Sequence, residues 1–301
     1  MQLFLPYAIG LSLNQLNPIL SCMFASFIEE GSISALHYSN RMIQLPLGLF
    51  VIAVSQAVLP QLSRIPKSDT KGFGETLSDA LQFVLFIVLP VTIVSFTYSD
   101  EIIHMLFVRG AFGESAWTAT STALKMNILG LPGMACATVV MRGLYALGLA
   151  KGAFINTLIS IGCTLISSLL LMKPFGLAGL AAAPSIAFTI ASAAGIYTIS
   201  KELSKKQREH NKTEKCSNFS IPLSWITKIA LSLLVLAVYL LLLKGFIPYD
   251  THSAFMVRAL SILLILASGA FVYALVTFFL KFNEWRWLRG AMRIDKTDNR
   301  P

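Results

Sequence analysis

Eight separate stretches of this chain are apolar for long enough to cross a bilayer, and that limits the fold before anything else does. They cover roughly residues 3–28, 36–60, 80–98, 118–148, 153–172, 177–199, 224–247 and 257–280 of a 301-residue sequence, and about 20 helical residues span a hydrocarbon core. Inside lipid the backbone has no water to bond to, so each N–H and C=O must be satisfied within the spanning element or by closure of a barrel. A barrel needs short strands of alternating polarity, and the sequence contains no such pattern. The expected fold class is all-α, a polytopic membrane helix bundle of about eight transmembrane helices. Charged residues make up only 13% of the chain and the mean hydropathy is +0.69, which leaves no room for a soluble catalytic domain.

The net charge of +9 reports topology, and no nucleic-acid partner is expected from it. Its basic residues gather in Arg64/Lys67/Lys71, in Lys201/Lys205/Lys206/Arg208/Lys212/Lys215, and in Lys281/Arg286/Arg289/Arg293/Lys296/Arg300. These clusters follow the second, sixth and eighth runs, so they share one side of the membrane. The alternate connections near 29–35, 99–116 and 248–256 hold Arg109 as their sole Lys or Arg. By the positive-inside rule the basic side is cytoplasmic, and the C-terminus lies there. The domain reading is a six-helix lobe over 1–200, a basic cytoplasmic linker over 201–222, an extra helix pair over 223–281 and a cytoplasmic tail over 282–301.

Arg41 sits in the second run, where a guanidinium at membrane depth costs about 2.5–3.5 kcal/mol by insertion scales. Such groups persist where they meet a water-filled cavity or a partner. Ser34, Arg41, Gly48 and Ser55 recur at seven-residue spacing, which keeps them near one helix face with a drift of about 20° per step. Gln44 sits beside that stripe. Ile43, Leu45, Leu47, Phe50 and Ile52 coat the rest. The polar side is expected to face away from lipid. Arg41 would either grip an anion with its planar fork or snorkel to the headgroups.

Two further polar stripes occur. Gly10, Asn14, Asn17 and Ser21 share a face of the first run; Asn156, Ser160, Thr164 and Ser167 share one in the fifth. Both read as helix contacts or cavity lining. Lys125, near the start of the fourth run, is open between a cavity cation and a snorkelling side chain. Arg142 and Lys151 flank the far end of that run, as positive-inside anchors or as a gate. Cys22, Cys136, Cys163 and Cys216 have no metal-site or disulfide spacing, so they read as apolar fillers and neither metal nor cofactor is expected. His37 and His104 lie near the outer ends of their segments without catalytic partners, and clustered membrane-depth acids are absent from the sequence pattern. No enzyme is expected.

The segment from Gly31 to Arg64, GSISALHYSNRMIQLPLGLFVIAVSQAVLPQLSR, resembles the eighth transmembrane helix of the MurJ/MviN lipid II flippases, members of the multidrug/oligosaccharidyl-lipid/polysaccharide exporter superfamily. Leu106 to Phe112 (LFVRGAF) resembles the family's LFERGAF loop. Arg142 to Gly148 (RGLYALG) resembles its RAFYALGD turn, and Lys173 to Gly179 (KPFGLAG) its PPLGVAGLA connection. The four motifs occur in family order, beginning at the family's seventh helix.

The resemblance implies flipping of lipid II, the lipid-linked peptidoglycan precursor, across a bacterial inner membrane by alternating access. The chain would supply the second lobe and the extra helix pair, with a missing N-terminal lobe as partner beside membrane lipids. It places Arg41 and Ser34 on cavity positions that hold the substrate pyrophosphate, with Asn40 and Gln44 adjoining. At those two positions the family usually has Asp and often Glu, so this chain carries amides where a proton or a countercharge would sit. The family positions associated with sodium fall on Ser21, Thr164 and Ser168, hydroxyls without a carboxylate, which make a poor cation cage. Another exporter of the superfamily, or a scaffold that does not transport, are the alternative functions.

Overall fold

The computed structural model describes residues 16–66, 69–210, 222–246, 255–282 and 284–285. The described residues are helical throughout, apart from short connections. The chain divides into two compact units, Met1–Ser220 and Ile221–Pro301.

The first unit is built from α1 (Leu16–Ala25), α2 (Ser32–Pro46), α3 (Ala53–Arg64), α4 (Thr70–Thr97), α5 (Ser99–Phe107), α6 (Glu114–Ile128), α7 (Leu131–Ala146) and α8 (Ala150–His210). A π-helical turn, Leu47–Ile52, joins α2 to α3 into one continuous span from Ser32 to Arg64. α6 and α7 form a single bent span, deflected by 45° at residues 129–130. The second unit is α9 (Leu223–Phe246) against α10 (Phe255–Phe279). Among the described residues five helices are long and apolar enough to cross a membrane, and the bent pair makes a sixth candidate.

α8 is nominally 61 residues long, yet it covers two of the expected spans. Gly176 breaks it, with φ 53° and ψ −128°, a conformation that side-chain-bearing residues avoid. The chain reverses there. A methyl group on Gly179 would lie 2.1 Å from the Leu171 carbonyl oxygen; one on Gly195 would lie 3.4 Å from the Asn156 carboxamide; one on Gly152 would lie 3.5 Å from Thr198. Residues so far apart in sequence meet only if the arms 150–175 and 177–210 run antiparallel. The second arm continues to His210, into the stretch read as a linker, because Glu, Lys and Gln are good helix formers and Glu202 precedes Lys206 at a favourable i,i+4 spacing.

The core of the first unit lies among α2, the π-turn, α3 to α7 and both arms of α8. Val51, Leu62, Leu77, Leu81, Ile103, Leu131, Val139, Val140, Leu144 and Ile199 are all at most 1% exposed. Large side chains such as Leu45, Leu49, Leu170 and Phe175 are more than half exposed, as suits a bundle whose solvent is lipid. In the second unit the buried positions Trp225, Ile229, Ser232, Leu236 and Leu240 face Ile262, Ile265, Gly269, Tyr273 and Thr277, a seam at three- and four-residue spacing. The Trp225 indole donates to the Glu284 carboxylate, and the Trp285 indole to Thr277 Oγ1 at 3.2 Å.

The ends of the first unit differ in charge. Gly74 approaches Leu203, and Gly152 approaches Thr198, so the start of α4, the α7–α8 turn and the end of α8 share one end. That end carries Arg64, Lys71, Lys151, Lys201, Lys205 and Lys206. At the other end Tyr38 packs on Phe107 and Phe112, with ring centroids 4.8 and 5.6 Å away, and the acids Glu29, Glu30, Asp100, Glu101 and Glu114 lie there.

Candidate functional site

α2 packs through Ser32, Ala35, Leu36, Ser39 and Ile43, all buried. Each residue advances about 100° round a helix, so positions two further on point to nearly the opposite side. Ser34, His37, Arg41, Gln44 and Gly48 occupy that side and are exposed. Arg41 makes no hydrogen bond or ion pair with another described residue. The structure therefore brings together three of the four expected substrate contacts, Ser34, Arg41 and Gln44, as an outward polar stripe on the lobe. It adds His37, one turn from Arg41, which its position at an interface had not marked as part of the stripe. The signal was available in the 34, 37, 41, 44 spacing.

Asn40 is set apart from them. It is half-buried and turned to α6, where its Oδ1 accepts a hydrogen bond from Asn127 Nδ2 at 2.8 Å. The same amide group reaches Ser39 Oγ at 3.3 Å, and Ser185 Oγ donates to the carbonyls of Met126 and Asn127. α2, α6 and the second arm of α8 are thus held by one polar knot. Such bonds between membrane helices contribute about 0.6 kcal/mol on average, enough to set rotation about the α2 axis but too little to hold the bundle alone.

Ser55 does not belong to the Arg41 stripe. It is fully buried and its hydroxyl donates to the Ile52 carbonyl at 2.9 Å. Pro46 offers no N–H, so the helix loses the bond that would close on the Met42 carbonyl, and the next six residues wind as a π-helix. A π turn takes up one residue more than an α turn, which sets everything beyond it back by about 100°. The seven-residue repeat ends at Gly48 for that reason.

Lys125 is settled by a partner: its Nζ lies 2.7 Å from Asp100 Oδ2, each side chain about one third exposed. An ion pair this accessible is worth at most about 1 kcal/mol, but it draws the ammonium to the acidic end and away from Arg41. Asp100 also accepts the Trp117 indole at its carbonyl, 2.8 Å away. His104, read as an interface residue, is buried with its ring centroid 4.9 Å from that of Trp117.

Arg142 and Lys151 occupy different settings. Lys151 is exposed at the basic end, whereas Arg142 is half-buried and lines a cavity of about 150 Å³ between α7 and the two arms of α8. The polar stripe of the fifth run faces inward as expected: Asn156, Ser160 and Thr164 are buried, and Ser168 replaces the half-buried Ser167 as its last buried member. Ser21 on α1 is buried too, while Gly10 and Asn14 lie outside the described residues. Among the described residues no group of three or more His, Cys, Asp or Glu is placed to hold a metal ion.

Comparison with known proteins identifies the family. A family model described as lipid II flippase MurJ matches residues 1–260. The probable lipid II flippase MurJ of Buchnera aphidicola subsp. Baizongia pistaciae is 27% identical over 286 residues, 92% of this chain and 53% of that protein. The corresponding protein of Helicobacter pylori strain 26695 is 36% identical over 184 residues, 61% of this chain and 40% of its own length. A solved lipid II flippase MurJ in an inward closed conformation superposes with a TM-score of 0.74 at 27% identity, covering 92% of this chain and 53% of that one. A MOP superfamily transporter from Pyrococcus furiosus, at TM-score 0.52 and 16% identity, shares the fold. The chain spans about half the length of the curated relatives it matches along most of its own length. On the match to residues 1–260 and the shared helical architecture, the chain belongs to the MurJ lipid II flippase family.

Proposed function

We propose that this chain forms the second lobe and extra helix pair of a flippase that carries lipid II across a bacterial inner membrane. The observation that carries the reading is the outward stripe of Ser34, Arg41 and Gln44 on α2. Left against hydrocarbon, Arg41 would cost about 2.5–3.5 kcal/mol, so its face is bordered by a water-filled cavity. The other wall of that cavity belongs to a partner lobe, supplied by chain beyond this sequence or by a second polypeptide.

In that cavity the Arg41 guanidinium grips the pyrophosphate of lipid II through paired N–H donors, while Ser34 and Gln44 orient the group attached to it. Asn40 acts by holding the α2 rotation that points Arg41 outward. Transport proceeds by rocking of the two lobes about the site, with Lys151 and Arg142 at the basic, cytoplasmic end as the gate. No bond is made or broken. The C-terminus is cytoplasmic on the same charge asymmetry.

Labelled lipid II titrated onto the purified chain in lipid nanodiscs tests the substrate. Saturable binding, displaced by unlabelled lipid II but not by a cationic drug, is expected; displacement by the drug alone would move the chain to another branch of the superfamily. Orientation is checked by cysteine labelling in intact cells. A Glu114→Cys variant is expected to react with an impermeant maleimide and a Lys201→Cys variant only after permeabilisation. The reverse pattern would invert the topology.

A further inference from the structure

The cavity between α7 and the two arms of α8 has a chemistry distinct from the Arg41 stripe. Arg142 and Tyr145 are half-buried at its edge, and Asn156, Thr157 and Ser160 are buried behind them. Phe188 and Ala191 supply an apolar wall. Arg142 is the one charged group in the lining, beside the hydroxyls of Tyr145 and Ser160. Thr138 and Thr157 spend their hydroxyl protons on the carbonyls of Met134 and Ala153, at 2.8 and 3.1 Å, so what they offer the cavity is lone pairs. The Asn156 carboxamide donates to Met141 Sδ at 3.7 Å, and its buried Oδ1 has no hydrogen-bond partner. A buried acceptor left unmet costs about 1–3 kcal/mol, a cost that a ligand with a donor removes.

The lining therefore has one anion-seeking end and an acceptor-rich remainder, and no carboxylate. A metal ion or an ammonium group finds no countercharge there and meets the charge of Arg142 instead. A phosphate ester bearing hydroxyl groups satisfies both ends: its oxygens take the guanidinium N–H donors, and its hydroxyls donate to Asn156 Oδ1 and the threonine oxygens. Depth agrees. Arg142 lies four residues from the end of α7 at Ala146, about 6 Å along the axis, at the end that carries Lys151, Lys201 and Lys205. That is headgroup level for a helix crossing a hydrocarbon core about 30 Å thick.

We infer that this cavity is a second binding site, separate from the Arg41 stripe, for a phosphoglycerol group, the headgroup chemistry of phosphatidylglycerol. It does not depend on lipid II being the transported substrate. The ligand chemistry is shared by a membrane lipid and by soluble glycerol 3-phosphate, and the test separates them.

Delipidated full chain in a non-ionic detergent is titrated with phosphatidylglycerol, with phosphatidylcholine, which lacks a donor, and with glycerol 3-phosphate, and bound ligand is counted by native mass spectrometry. Phosphatidylglycerol is expected to bind at least about tenfold more tightly than phosphatidylcholine, Arg142→Gln to lose about tenfold or more of that affinity, Arg142→Lys to recover part of it, and Asn156→Leu to erase the preference for the glycerol headgroup. Preferential binding of glycerol 3-phosphate, equally sensitive to Arg142→Gln, supports the same site with a soluble occupant. Equal binding of the two lipids, with no glycerol 3-phosphate binding, overturns the proposal. So does an equal loss in Lys201→Gln, which would place the binding on the basic surface. Arg41→Ala losing phosphatidylglycerol to the same degree as lipid II overturns the separateness of the site. Lipid II binding is the folding control for Asn156→Leu, and retained thermal unfolding cooperativity is the control for every variant.

Discussion

Replacing Arg41 by alanine is expected to lower the affinity of the chain for lipid II on the order of a hundredfold, since two charge-assisted hydrogen bonds at about 1.5 kcal/mol each are lost together. Arg41→Lys keeps the charge and loses the fork, so it recovers only part of the affinity. The measurement is the nanodisc titration with labelled lipid II at fixed ionic strength. Gln44→Ala costs less, because an exposed amide contributes one neutral bond. Asn40→Ala weakens binding only through α2 rotation, as its carboxamide oxygen is engaged by Asn127. Unchanged affinity in Arg41→Ala would remove the stripe from the substrate path.

The largest effect on stability is expected at the α8 hairpin. A methyl group on Gly179 meets the Leu171 carbonyl oxygen at 2.1 Å, and a backbone atom cannot swing aside as a side-chain end can. Gly179→Ala should cost about 3 kcal/mol or more, the upper range for overpacking, by forcing the two arms apart where they turn. Gly162→Ala is the matched control: nothing lies within 4 Å of its added carbon, and alanine is worth up to about 1 kcal/mol over glycine in a helix. Reversible unfolding in mixed micelles, followed by far-ultraviolet circular dichroism, should show opposite signs for the two variants. Equal effects would mean that the hairpin is not closely packed at its turn.

Much of this was legible in the sequence because membrane insertion is a coarse filter. A run of apolar residues long enough to span must be helical, whatever it packs against. The 153–172 and 177–199 runs were separable from composition, and Gly176 between them has the backbone conformation that divides α8. Arg41 stood out because its burial would be costly, and Ser34 and Gln44 followed from helical spacing. Ser55 failed because a straight repeat was projected through Pro46, and a π turn changes the phase by an amount that spacing alone does not carry. Lys125 was undecidable for another reason: its partner, Asp100, lies 25 positions earlier on a separate helix.

The sequence by itself determined that this chain is a bundle of membrane helices, which of its ends is basic, and that one arginine is out of place in lipid. These properties follow from each segment's transfer free energy, which is local. Only the tertiary structure decided the rest: that Arg41 points away from the lobe it belongs to, that Asn40 is held by Asn127 rather than left free beside it, and that Arg142 faces a cavity with an unmet acceptor at its back. Each of those depends on how one helix is rotated against another. That rotation is set by hydrogen bonds and close packing between residues far apart in the chain.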